Sequence, residues 1–317
     1  MNTSILTDNL SRSFGSTHAV DRVSLTVPQG AIYALVGANG AGKTTLIKLL
    51  MNILRPTAGS AQVLGIDSRH LTGSRFATIG YVSENQEMLD WMSVGAMLRY
   101  FRPFYPTWDL ALEESLVRQF DLPLNRKLKH LSRGMRMKAA FASSLAYRPS
   151  LLILDEPFSG LDPLVRDQLI EGLLERATET TILLSSHDLA EIETFSTHIG
   201  FLENGRLLFS EELAALNDRF RQITVTVPAP AALPAQLPAA WLQPSTSGHV
   251  VSFVHSNYQE ETAPRELSAA FPAASDIAAE PMSLRSIFLA IAKSAAGADK
   301  PPSPAQKPIS IPEGQLQ

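Results

Sequence analysis

Residues 37 to 45 read Gly-Ala-Asn-Gly-Ala-Gly-Lys-Thr-Thr, a GxxxxGK[ST] pattern with Gly37, Gly42, Lys43 and Thr44 in the required places. The glycines let successive backbone N–H groups turn inward, and a helix N-terminus behind them adds partial positive charge. That chemistry suits a polyphosphate. Lys43 would reach the β- and γ-phosphates of a nucleoside triphosphate, and the Thr44 hydroxyl would ligate Mg²⁺. A second chemical stretch is Leu151-Leu152-Ile153-Leu154-Asp155-Glu156-Pro157, with paired carboxylates at the end of an apolar run. Asp155 is suited to hold Mg²⁺ through water, and Glu156 to accept a proton from an attacking water. A third run, Thr181-Ile182-Leu183-Leu184-Ser185, delivers Ser186, His187 and Asp188, which makes His187 a candidate γ-phosphate sensor.

These residues need elements to hold them. Ala31 to Val36 reads as a buried strand ahead of the glycine loop, and Leu46 to Leu50 as a helix behind it. Leu151–Leu154 and Thr181–Ser185 read as buried parallel strands, whose C-terminal ends are where open α/β sheets place ligands. Residues 3 to 27 read as strands, with Val23-x-Leu25-x-Val27 as one half-buried antiparallel strand. Phe14 precedes it and suits either a nucleotide base or a core. Residues 88 to 148 read as helical. They hold the aromatics Trp91, Tyr100, Phe101, Phe104, Tyr105 and Trp108, and the stripe Leu112, Leu116, Phe120. Leu131-Ser132-Arg133-Gly134-Met135 precedes a helix expected over 136–147, with Ser132 a natural N-cap. Glu203-Asn204-Gly205-Arg206 reads as a hairpin turn.

The chain has 317 residues, long enough for two domains at about 100–200 residues each. Its net charge of −4 and pI near 6.0 carry no basic footprint for nucleic acid. It has no Cys, which excludes disulfides, thiolate metal sites and cysteine nucleophiles, and its His residues form no HxxxH pair. The first residues lack a signal-peptide pattern, and no run of 18 apolar residues occurs. The expectation is a cytoplasmic protein unless a partner holds it at a membrane.

The order and spacing of these motifs resemble the ATP-binding subunit of an ABC transporter over roughly residues 3 to 215. The glycine loop, LSRGM at 131–135, the acidic strand at 151–156, SGLD at 159–162 and SSHD at 185–188 carry the resemblance. It implies an α/β fold, a P-loop NTPase of ABC type with an antiparallel β subdomain and a helical subdomain. ATP and Mg²⁺ are the implied ligands. Phe14 matches the adenine-stacking aromatic. Gly37, Asn39, Gly40, Ala41, Gly42, Lys43, Thr44 and Thr45 wrap the triphosphate. Thr44, Asp155 and Glu84 serve the metal, Glu156 is the general base, and His187 contacts the γ-phosphate. Ser132 and Gly134 belong to the signature that closes on ATP held by a second ATP-binding subunit, and Asp162 to the loop that crosses to it. The family usually has LSGGQ, so Arg133 and Met135 depart from it; Glu84 stands where the family has Gln, with Gln86 two residues on. These departures resemble the branch serving antibiotic, lipid or drug exporters, whose ATPase subunit works with a separate transmembrane permease. In the family that permease docks on the helical subdomain, which gives the exposed part of the 91–108 aromatics a role. A non-transport ABC ATPase and a weakly hydrolysing regulatory partner are the alternatives.

The implied organisation is an ABC domain over 1–218, its helical subdomain at about 88–148, a small C-terminal α+β domain over 219–295, and a disordered tail over 296–317. In the C-terminal part, 222–227 and 249–255 read as strands, 228–244 with its five prolines as a linker, and 265–271 as a helix. A third strand near 276–280 and a helix capped by Ser283 complete it.

Overall fold

The computed structural model describes residues 2–228, 231–234 and 236–298. The chain divides into two compact units, Met1–Leu216 and Asn217–Gln317.

The first unit begins with β1 (Thr3–Phe14), β2 (Thr17–Val23) and β3 (Thr26–Pro28). The alternation Val23, Leu25, Val27 does bury all three side chains, but it is not one strand. The chain breaks at Ser24–Leu25, where Thr7 takes over the pairing: its N–H donates to Leu25 O at 2.8 Å and its Oγ1 accepts from Leu25 N–H at 2.8 Å. Alternation reports burial phase and cannot see which neighbour satisfies the backbone. β4 (Ile32–Val36) is buried along its whole length and runs through the glycine loop into α1 (Lys43–Leu50). β5 (Ala58–Val63) and β6 (Ile66–Asp67) return to the first sheet, which has the order β2-β1-β5-β6 with β3 beside β1.

β7 (Ile79–Ser83) leads to the helical arm of α2 (Val94–Phe101), α3 (Leu110–Gln119) and α4 (Arg133–Leu145). β8 (Leu151–Asp155), α5 (Pro163–Leu174), β9 (Thr181–Ser186) and α6 (Leu189–Ile192) follow. The hairpin β10 (His198–Glu203) and β11 (Arg206–Glu212) turns through Asn204 and Gly205, both at positive φ, before α7 (Leu213–Arg219). The second sheet has the order β11-β10-β4-β9-β8-β7, parallel except for β11. Its apolar strands are covered on both faces, as parallel sheets require. One core joins the two sheets through Leu46, Ile47, Leu49 and Leu50 of α1, with Ile5, Val63, Leu35 and Ile153 among its members.

α4 starts at Arg133, three residues earlier than the sequence suggests. The Ser132 hydroxyl caps it by accepting from Met135 N–H at 3.3 Å, so the signature residues form its first turn.

The second unit is an antiparallel sheet of order β13-β14-β12-β15, from β12 (Arg221–Thr226), β13 (Trp241–Ser247), β14 (Val250–His255) and β15 (Asp276–Pro281), with α8 (Ala263–Ala270) and α9 (Leu284–Ala298). β13 corrects the reading of 228–244 as linker. Its proline, Pro244, is tolerated because β13 is an edge strand and its register shifts between Leu242 and Ser245, with Gln243 at φ 52°. The core stacks Trp241 on Phe253 with ring centroids 4.1 Å apart, next to Phe271 and Leu267. α9 runs through residues 296–298; the remainder of the expected tail, 299–317, lies outside the described residues.

Candidate active site

Parallel strands deliver their C-terminal ends to one edge. At this edge β4 ends in Val36, just before Gly37, β7 in Ser83, β8 in Asp155 and β9 in Ser186. Sheet register alone therefore collects the loop lysine, the paired carboxylates, the histidine and Glu84.

The loop keeps its path because two glycines have no room for a side chain. A Cβ on Gly37 would run into the carbonyl oxygen of Leu202, and one on Gly42, at φ 108°, into that of Ala19. Gly42 is the N-cap of α1, whose first turn has neither a side-chain cap nor an acidic residue. Asn39, Gly40, Ala41, Gly42, Lys43, Thr44 and Thr45 line a cavity of about 260 Å³ with Ala19, Glu84 and Glu156. Uncapped helical N–H groups beside a glycine cradle suit an anion.

Lys43 is buried. Its Nζ donates to Gly37 O at 2.6 Å and Ala38 O at 3.2 Å, and lies 3.0 Å from Glu156 Oε1. Thr44 Oγ1 donates to Asp155 Oδ1 at 3.1 Å. Hydroxyl and carboxylate oxygens are the hard donors that Mg²⁺ takes, so this pair fits it. Thr44, Asp155, Glu84, Glu156 and Lys48 line an adjoining cavity, also about 260 Å³.

Consecutive strand residues normally face opposite sides. Glu156 escapes that rule at φ 52°, a left-handed turn that brings its carboxylate to the same cavity as Asp155. Ser185 steadies the turn: its Oγ donates to Asp155 Oδ1 at 2.7 Å and accepts from Glu156 N–H at 2.9 Å. Glu156 Oε2 accepts from His187 Nδ1 at 2.8 Å. Burial, then the Asp155 charge, push the neighbouring Tyr81 phenol up, so it stays neutral.

Other expected residues are absent from the lining of these two cavities. Phe14, half-exposed at the end of β1, carries the Arg12 guanidinium 4.6 Å over its ring. Ser132 is the exposed cap of α4, and Gly134 packs closely on Val165 of α5, where a Cβ would meet Val165 Cγ1 at 3.0 Å. Neither lines the cavities around Lys43 and Thr44. Asp162 caps α5 by accepting from Val165 N–H at 3.0 Å. Gln86 faces a different cavity, of about 270 Å³, with Met88, Arg136 and Met137. The clamp at Ser185 was missed in the sequence, where it reads only as the end of a strand.

Residues 20–159 match the family model described as ABC transporter. The bacitracin transport ATP-binding protein BcrA of Enterococcus faecalis is 30% identical over 224 residues, 69% of this chain and 73% of that one. The lantibiotic transport ATP-binding protein SrtF of Streptococcus pyogenes is 33% identical over 215 residues, 64% of this chain and 89% of its own.

The chain belongs to the ABC transporter family.

A solved ATP-binding subunit of an ABC transporter superposes with a TM-score of 0.63 at 29% identity, covering 68% of this chain and 92% of that one. The fold is thus the ABC-type P-loop ATPase, and the chain is an ATP-binding ATPase of this family. Among the described residues no helix is long and apolar enough to cross a membrane.

Proposed function

We propose that this ABC transporter subunit hydrolyses ATP to power export through a separate transmembrane permease, from the cytoplasmic face of the membrane and as one of two ATP-binding subunits. The observation that carries the reading is the convergence of Lys43, Thr44, Asp155, Glu156 and His187 at one sheet edge, while Ser132 and Gly134 line neither cavity there. Such a site is complete only when a second subunit supplies the signature loop. The names of BcrA and SrtF, which are transport ATP-binding proteins, support the exporter setting.

In this reading the loop amides from Gly37 to Thr45 and Lys43 hold the phosphates. Lys43 exchanges Gly37 O, Ala38 O and Glu156 for phosphate oxygens. Thr44 and Asp155 would hold Mg²⁺, with Glu84 lining the same cavity, and the ion would supply charge neutralisation at the phosphate oxygens. Glu156, freed from Lys43 and steadied by Ser185, accepts the proton of the attacking water. His187 holds Glu156 in orientation and faces the γ-phosphate. Phe14 stacks on the base, swinging free of Arg12.

Lys43→Ala is expected to weaken ATP binding by about a hundredfold, since it removes a buried charge-assisted donor. Titration with a fluorescent ATP analogue measures this. Undiminished affinity would remove Lys43 from the site and with it the phosphate reading.

A further inference from the structure

The two charged departures from the usual family residues, Glu84 and Arg133, bind each other. Arg133 Nη2 donates to Glu84 Oε1 at 2.6 Å, and Ser159 Oγ donates to the same oxygen at 2.9 Å. The guanidinium lies on the turn after β8, where a Cβ on Gly160 would meet Arg133 Nη1 at 2.8 Å. The Glu84 backbone is held in place, its N–H donating to Asp155 O at 2.9 Å. Its side chain stands where three cavities meet. One contains Arg133, one contains Thr44 and Asp155, and one is lined by the glycine loop. The carboxylate held by Arg133 thus borders the same cavity as the Thr44–Asp155 pair. The ion pair is 47% exposed at Arg133 and 31% at Glu84, so it is weak and readily exchanged.

We propose that Arg133 is a positioning residue for Glu84. It holds the carboxylate off the Thr44–Asp155 metal position until another anion draws the guanidinium away, and Glu84 then turns to the cation. The proposal rests on the reading of the chain as a paired ATP-binding subunit. The competing anion is the phosphate chain of the nucleotide on the second copy, which meets Arg133 between Ser132 and Gly134. Engagement of one nucleotide thereby completes the metal site of the other, and the two sites are coupled through a single side chain.

Mn²⁺ is the probe, with its binding to the full chain loaded with a non-hydrolysable ATP analogue read by electron paramagnetic resonance. In the wild type, Mn²⁺ affinity should tighten as protein concentration rises and copies pair. Arg133→Met should bind Mn²⁺ about fivefold more tightly than the dilute wild type, an exposed ion pair's worth, at every concentration. Arg133→Lys, which keeps the cation, should behave as wild type. Glu84→Gln should lose the concentration-dependent tightening, and adding Arg133→Met to it should change nothing further. An unmoved Mn²⁺ affinity in Arg133→Met, or an equal shift in the Glu84→Gln background, overturns the proposal. Should Arg133→Met fail to fold, a Glu84→Gln chain that still tightens with concentration overturns it equally. Analogue affinity of the wild type without metal separates the two failures. No binding there sinks the ATP reading itself, whereas normal binding with unmoved Mn²⁺ sinks only the role of Arg133.

Discussion

At the scale of single residues, the site depends on Ser185 as much as on the carboxylates it touches. Ser185 is fully buried and bonds both Asp155 and the Glu156 backbone. Ser185→Ala leaves the Glu156 N–H without its acceptor, a loss of about 1–3 kcal/mol in a buried polar group. It also loosens the left-handed turn that aims Glu156. The expected result is ATP turnover about tenfold lower with ATP affinity little changed, because the loop amides and Lys43 are untouched. Steady-state hydrolysis and a nucleotide titration together check this split. Spacing in the sequence pointed to Asp155, Glu156 and His187 because each follows an apolar strand. Ser185 carried no such signal, since its partners lie 29 and 30 positions away.

At the scale of elements, the helical arm is tied together by a polar cluster that no periodicity reveals. Glu113 of α3 accepts from Arg102 Nε at 2.8 Å and Nη2 at 2.7 Å, and from Trp108 Nε1 at 2.8 Å. The stripe Leu112, Leu116, Phe120 places α3 on the core, but the pairing of its carboxylate with Arg102 beyond α2 is a tertiary event. Glu113→Ala leaves the Trp108 N–H without its acceptor and the partly exposed Arg102 without its partner, and is expected to destabilise the chain by about 1–3 kcal/mol, read from urea unfolding. In the second unit, His255 of β14 is buried, and burial lowers its pKa, with the Glu266 carboxylate pulling in the opposite direction. A base whose folded pKa is depressed is protonated first in the unfolded chain. Its stabilisation is therefore full above the unfolded value near pH 6.5 and is lost as pH falls toward the folded one. His255→Asn should flatten the fall in melting temperature between pH 7 and pH 5, and an unchanged slope would remove His255 as its cause. The strand β13 belongs to this scale too. Prolines and short apolar runs hid it, because an edge strand with a bulge needs no continuous pattern.

At the scale of the whole molecule, the proposed pairing makes a direct prediction. Glu156→Gln keeps the phosphate site but removes the proton acceptor. With ATP it should accumulate as a two-copy species, and turnover should fall by about a hundredfold or more. Light scattering with and without ATP reads the mass, and a monomer under both conditions would count against a shared site. The proposed permease contact can be tested separately. Trp91 and Phe104 are 67% and 61% exposed on the helical arm, well above what a core explains. Changing both to Ala should leave ATP binding by the isolated chain intact and weaken its recovery with the permease.

The sequence by itself determined the ABC-type fold and its ATP chemistry. Glycine loop, acidic strand and histidine each sit at a strand end, so local patterning and the geometry of parallel sheets were enough to bring them together. Tertiary structure alone decided which polar groups meet across the chain. Ser185 on Glu156 and Arg133 on Glu84 are contacts between segments far apart in sequence, and Arg102 on Glu113 joins two successive segments of the helical arm; all three are set by packing and backbone turns rather than by any local repeat. For that reason the loop at Gly37 to Thr45 could be read from its spelling, while the partner of Arg133 could not.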